Sequence, residues 1–324
     1  MEKCGKYRAK FGKGPIWHND FGLVWLDSSN KKIIAYNPET DEEQVYDALG
    51  WLNALIPTED GQFMGVYKDG IYMVNFVDGI KKTFIAPPDV TDMHYLNDAK
   101  CGPDGRVWCG SSDAFFKKFK ESPHTAFSPY PFEKGKLFTV DTAGKIKFER
   151  ENIAVSSGLE WNRTNNKFYH IDSSKQSIFQ YELTQKNELV FEKLVYSFEL
   201  LEGYPDGMTI DCAGNLWVAL FKGSVVASKS NSPTRVVCIN PKKSEIIQEV
   251  VLPVSHATSC TIGGKNLNTL FITTAYEPLP ASKVSKEPLA GYLLQIPIDV
   301  KGVEPFIFKI NNTSQVERNS INFS

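Results

Sequence analysis

The chain has 324 residues, with 36 Lys and Arg against 38 Asp and Glu, a formal charge of −2, and 42% hydrophobic residues. This much apolar surface offsets the entropy lost on ordering, which excludes a disordered chain. Near-zero charge argues against a nucleic-acid partner, since phosphate binding relies on a marked Lys/Arg excess. No window approaches the roughly 18 apolar residues that span a bilayer. The basic start Met1–Lys10 has no apolar run behind it, so neither a membrane partner nor a secretory signal is expected. Six cysteines, at 4, 101, 109, 212, 238 and 260, form no CxxC pair and read as reduced, mostly core thiols of a cytoplasmic protein.

Along the chain, short β-rich runs alternate with Gly, Asp, Asn and Pro. They begin at Leu23-Val-Trp-Leu26 and Lys32-Ile-Ile-Ala-Tyr36 and continue through Lys167-Phe-Tyr-His-Ile171 and Asn215-Leu-Trp-Val-Ala219 to Thr269-Leu-Phe-Ile-Thr-Thr274. They fall into a degenerate unit: a small or apolar strand, an Asp/Asn/Gly turn, then an aromatic strand. The unit starts near Pro15, Asn53, Asn97, Gly158, Asp206 and Ser259. A spacing of about 40 to 60 residues is that of propeller blades. The expectation is an all-β protein, a single six-bladed β-propeller over residues 1–310, with a polar tail at 311–324. Trp17, Trp25, Trp108, Trp161 and Trp217 keep the blade period and read as packing between blades. Insertions at about 111–134 and 222–234 break the rhythm, and long loops in such folds serve as covers or as flexible connections.

Five motifs occur in order: Leu96-Asn-Asp-Ala-Lys100, Ser157-Gly-Leu-Glu-Trp161, Tyr169-His-Ile-Asp-Ser173, Tyr204-Pro-Asp-Gly-Met-Thr-Ile-Asp211 and Thr258-Ser-Cys-Thr-Ile-Gly-Gly-Lys-Asn266. With them the chain resembles the SMP-30/gluconolactonase/luciferin-regenerating-enzyme family, which includes regucalcin, over nearly its whole length. The resemblance implies a six-bladed propeller holding one divalent cation on its axis. It also implies hydrolysis of lactones or related small esters, with the cation polarising the carbonyl and activating water. The family's first metal carboxylate is the Glu of Gly-Glu-Ser/Gly-Pro-x-Trp, and that position is Lys13 here. The family's Asn ligand in Asn-Gly-Leu-x-Trp is Ser157, while the Asp of Pro-Asp-Gly remains as Asp206. A substrate-facing Asn remains as Asn97, beside Asp98, and the Arg two positions before it in mammalian-type members is Tyr95.

Lys13 places an ammonium where the ion would sit, so the expectation is no cofactor, or only a weakly held calcium or zinc ion. Three roles for Lys13 stay open: a structural substitute that pairs with Asp206, a polarising or nucleophilic group, or a side chain turned to solvent. Asp98 is a candidate base or a strand-end turn residue. Ser157 is a candidate donor to substrate, with no Gly-x-Ser-x-Gly elbow around it. Among the five histidines, His94 beside Tyr95 is the one singled out. In the first insertion Phe115, Phe116, Phe119, Phe127, Tyr130 and Phe132 interleave with Lys117, Lys118 and Lys120. They read as an aromatic, cationic cover for an amphipathic or aromatic small molecule, or as rings that pin the loop.

The leading expectation is therefore a diverged family member acting on a small organic molecule. The reaction is lactone or ester hydrolysis, or a related carbonyl reaction such as cyclisation, without the usual metal. Lys13, Asp206 and Asp98 are its candidate catalytic residues, and Asn97, Tyr95, Ser157, Phe115 and Phe116 its candidate substrate contacts. The alternatives are a non-catalytic binding or scaffold propeller and a residual metal-dependent lactonase; the oligomeric state stays open.

Overall fold

A computed structural model of the protein describes residues 1–86, 94–122, 124, 128, 130–164, 166–222 and 233–310. The polar tail at 311–324, Phe127 and most of the second insertion lie outside the described residues. The strands form six four-stranded antiparallel sheets, arranged as a six-bladed β-propeller. Blade 1 spans residues 12–47, blade 2 52–85, blade 3 94–153, blade 4 156–197 and blade 5 204–251. Blade 6 combines strands within 257–297 with the N-terminal strand Glu2–Cys4, which pairs with Leu293–Pro297 and closes the ring.

Burial follows the position of a strand in its blade. The second strands, such as Val107–Asp113 and Leu216–Phe221, are buried almost throughout, whereas outer strands such as Glu42–Asp47 alternate toward solvent. Trp25, Trp108, Trp161 and Trp217 are fully buried, and Trp108 meets Trp161 edge-on across blades 3 and 4 at 5.7 Å between ring centroids. Trp17 is half-buried and stacks on Phe271 between blades 1 and 6. All six cysteines are free, five of them buried. No helix among the described residues is long and apolar enough to cross a membrane.

One irregularity recurs in every blade. The inner strands Gly12–His18, Leu52–Pro57, His94–Cys101, Ser156–Trp161, Tyr204–Ile210 and Ala257–Gly263 each break register with their neighbour. The breaks fall after Lys13, Leu52, Leu96, Ser156, Pro205 and Ala257. A bulge inserts an unpaired residue and re-aims its side chain. The residues freed in this way tie one blade to the next. Asn53 Nδ2 donates to Leu96 O at 2.7 Å, Asn97 Nδ2 to Ser156 O at 2.7 Å, and Thr258 Oγ1 to Gly12 O at 2.6 Å. Ser28 Oγ to Leu52 O and Ser173 Oγ to Pro205 O extend the same belt.

At the opposite end of the channel, residues 301–310 run across the ring as a strap. Cys212 N donates to Lys301 O and Gly302 N to Leu267 O, at 2.8 and 2.7 Å. Arg163 donates to Glu304 O and lies over the Phe306 ring at 3.5 Å. Phe308, fully buried, exchanges backbone bonds with Pro57 and Glu59 of blade 2.

Candidate active site

The end of the channel where the bulges lie opens into a cavity of about 350 Å³, within the range of small-molecule sites. Its floor carries Lys13, Asn53, Asn97, Ser157 and Asp206, one from each of five blades. Its walls are aromatic: Phe11, Trp51, Tyr95, Phe116, Tyr204 and Phe221. Lys68, Lys120 and Glu277 also face it.

Lys13 reaches the floor because Gly14 follows it with φ +54°, a left-handed turn that a side chain would strain, while Asn53 O would lie 3.2 Å from a Cβ there. Its ammonium donates to Asn97 Oδ1. The bond from Asn97 Nδ2 to Ser156 O fixes the amide so that this oxygen faces the lysine. The expected pairing partner was Asp206, but the hydrogen bond of Lys13 goes to Asn97, and Asp206 acts on it through space. Burial lowers the pKa of Lys13 below its ordinary value, opposed by the charges of Asp206 and Asp98.

Asp206 is the counterpart. Burial pushes its pKa up to about 7, the Lys13 charge pulls it down, and Asp98 raises it again. Ser157 Oγ lies 2.7 Å from Ser173 Oγ, which in turn donates to Pro205 O beside Asp206. Tyr95 is half-buried on the wall, and burial with the nearby Asp206 and Asp113 raises its phenol to about 12, so it stays protonated at neutral pH.

Two sequence expectations need correcting. Asp98 does not face this cavity. Bulging of Asn97 lets two successive residues reach the channel at different heights, and Asp98 lines a lower cavity of about 70 Å³ with Lys100, Glu160 and Arg163. Phe115 is 44% exposed and not part of the lining, while its neighbour Phe116 is. Both sit on the helix Ala114–Glu121, where consecutive side chains diverge by about 100°. Phe116 packs edge-on against Tyr130 and Tyr204, so one ring both pins the insertion and walls the cavity. His94 pairs in register with Asp113 and does not contribute to the lining.

Several lining residues escaped the sequence reading. Asn53 follows Leu52 as Asn97 follows Leu96, so aligning the repeats would have found it. Trp51 is off the blade period and 46% exposed, the opposite of the core tryptophans. A buried Ser156–His170 contact of 2.8 Å also went unread; burial lowers the histidine to about 3, and both residues lie in the wall of blade 4 without reaching the cavity.

The profile of the SMP-30/Gluconolactonase/LRE-like region matches residues 11–276. The chain is 31% identical to the "Putative sugar lactone lactonase YvrE" of Bacillus subtilis, over 93% of this chain and 96% of that one. It is 28% identical to regucalcin of Danio rerio, over 94% and 96%. Among solved structures, a luciferin-regenerating enzyme superposes with a TM-score of 0.79 at 26% identity, covering 94% of this chain and 96% of that one. The chain belongs to the SMP-30/gluconolactonase/LRE-like family.

Proposed function

We propose that the protein hydrolyses lactones or related small cyclic esters with its own side chains and without the divalent cation of its family. The observation that carries this reading is the Lys13 ammonium, held on Asn97 Oδ1 at the floor of the cavity with Asp206 alongside. The residues present do not fit the family's ion. A hard divalent cation needs several oxygen ligands, and here a cation-bearing side chain already uses the Asn97 oxygen, leaving Asp206 as the one carboxylate on the floor among the described residues.

The chemistry follows from the two charges. A substrate carbonyl oxygen set against Lys13 gains a charge-assisted donor as it becomes an oxyanion. Asp206, with a pKa near 7, is poised to take a proton from water at neutral pH. The water oxygen bonds to the carbonyl carbon, the ring C–O bond breaks, and the proton held by Asp206 passes to the departing alkoxide, giving the hydroxy acid. Asn97 orients Lys13, and the aromatic walls displace bulk water, which strengthens both electrostatic terms.

The test is hydrolysis of a panel of γ- and δ-lactones with and without chelator, in the parent and in Lys13→Ala. The expected result is chelator-insensitive turnover that falls about 10²- to 10³-fold in the variant. Turnover abolished by chelator and restored by calcium or zinc would instead assign a metal-dependent lactonase. Binding without turnover across the panel would assign a non-catalytic ligand-binding propeller.

A further inference from the structure

We propose that Trp51 and Lys68 form a second recognition point at the rim of the cavity, selecting ligands whose outer end is a flat apolar ring bearing a carboxylate. The proposal deepens the lactonase reading by naming its substrate class, and it rests on that reading only for the position of the reacting carbonyl.

Three observations converge. The first is the state of Trp51. Four of the six tryptophans are fully buried between blades, whereas Trp51 is 46% exposed and lines the cavity. A large aromatic face left open to water beside a ligand cavity is a stacking platform awaiting an apolar partner. The second is the place of Lys68. Its backbone N–H donates to Trp51 O at 2.8 Å and its carbonyl accepts from Leu96 N at 3.2 Å. The lysine therefore stands between Trp51 and the strand that carries Tyr95 and Asn97. The third is its lack of a counter-ion: Lys68 is exposed, faces the cavity, and among the described residues makes no ion pair.

The acidic groups of the cavity do not offset it. Glu277 accepts the Ser29 hydroxyl at 2.5 Å, and Asp206 lies on the floor near Lys13. A ligand whose carbonyl reaches Lys13 thus passes aromatic walls and ends beside a tryptophan face and an ammonium that makes no ion pair among the described residues. A carboxylated aromatic ring satisfies both, whereas a sugar lactone, neutral and hydroxylated, satisfies neither.

Binding isolates this point from catalysis. The probes are naphthalene-2-carboxylate and naphthalene-2-carboxamide, equal in shape and differing in charge, titrated by calorimetry. The carboxylate is expected to bind about fivefold tighter than the amide. In Lys68→Gln the ratio should fall to about one, with amide affinity unchanged. Trp51→Ala should weaken both probes about fivefold, and Trp51→Phe should recover most of the loss. An unchanged ratio in Lys68→Gln, or a ratio that collapses only in Lys120→Gln, overturns the assignment to Lys68. Equal affinities in Trp51→Ala and the parent overturn the stacking platform. Because the probes have no ester bond, a protein that binds them as expected yet turns over no lactone refutes the catalytic reading and leaves this one standing.

Discussion

The two ends of the axial channel use the same kinds of residue to opposite ends. In the lower cavity Lys100 donates to Glu160 at 2.5 Å and to Met208 O at 2.9 Å, with the carboxylate side chain 8% exposed. Its charges are matched, its volume is about 70 Å³, and the strap lies across it. In the upper cavity Lys13 leans on a neutral amide, and Asp206 stands near it without a hydrogen bond between them. Charges satisfied by one another stabilise a fold, and charges held apart in a desolvated site remain available to a substrate. The contrast explains why Lys100 and Glu160 belong to the scaffold although they too lie on the axis.

Four experiments sharpen or break that contrast. Asp206→Asn should lower kcat/KM for lactones by about 10²- to 10³-fold with the fold retained; unchanged turnover would remove Asp206 from the chemistry. Phe308→Ala, which empties the anchor of the strap, should cost about 3 kcal/mol in denaturant unfolding while floor residues keep their places. Glu160→Gln should cost about 1 to 3 kcal/mol, a discounted figure for a pair whose lysine is a third exposed, with turnover within about twofold; a large loss of rate would place the lower cavity in the mechanism. The smallest effect concerns pH. Asp206 titrates near 7 when folded and near 3.8 as an ordinary carboxyl. The folded state therefore holds the extra proton between those values, and this group's contribution to stability falls as pH rises through that window. The melting temperature of Asp206→Asn relative to the parent should climb from pH 5 to pH 8, while parent activity rises through about pH 7.

The fold was legible in the sequence because its information is periodic. Six copies of an aromatic strand behind an Asp/Asn/Gly turn leave a trace even where individual blades are degenerate, and the tryptophans at 25, 108, 161 and 217 mark the packed positions. The floor was partly legible for a different reason: the family resemblance assigns Lys13, Asn97, Ser157 and Asp206 to one centre, and the structure brings the four to one cavity. What stayed hidden depends on the direction of side chains. Nothing in Asn97-Asp98 says that one reaches up the channel and the other down, since that depends on where the register breaks. Nothing in Phe115-Phe116 says which ring faces in until the helix phase is set by the Asp113 cap, which accepts from Phe115 N. Trp51 was overlooked because it obeys no period, and the rim of a repeat protein is where the repeat gives way to individual loops.

The pairing of Glu2–Cys4 with Leu293–Pro297 has a consequence for how the protein is made. The sheet that seals the ring needs the first strand and the last, separated by almost the whole chain. Five blades can assemble as they leave the ribosome, but Glu2–Cys4 must wait until Leu293–Pro297 has been made. Long-range pairing of this kind is slow and leaves strand edges exposed meanwhile. The floor draws residues from blades 1 to 5, and Thr258 of blade 6 fastens blade 1 through Gly12. Completion of the active site thus waits for the strand Leu293–Pro297, and a product cut before that strand is expected to lack the site even where every floor residue is present.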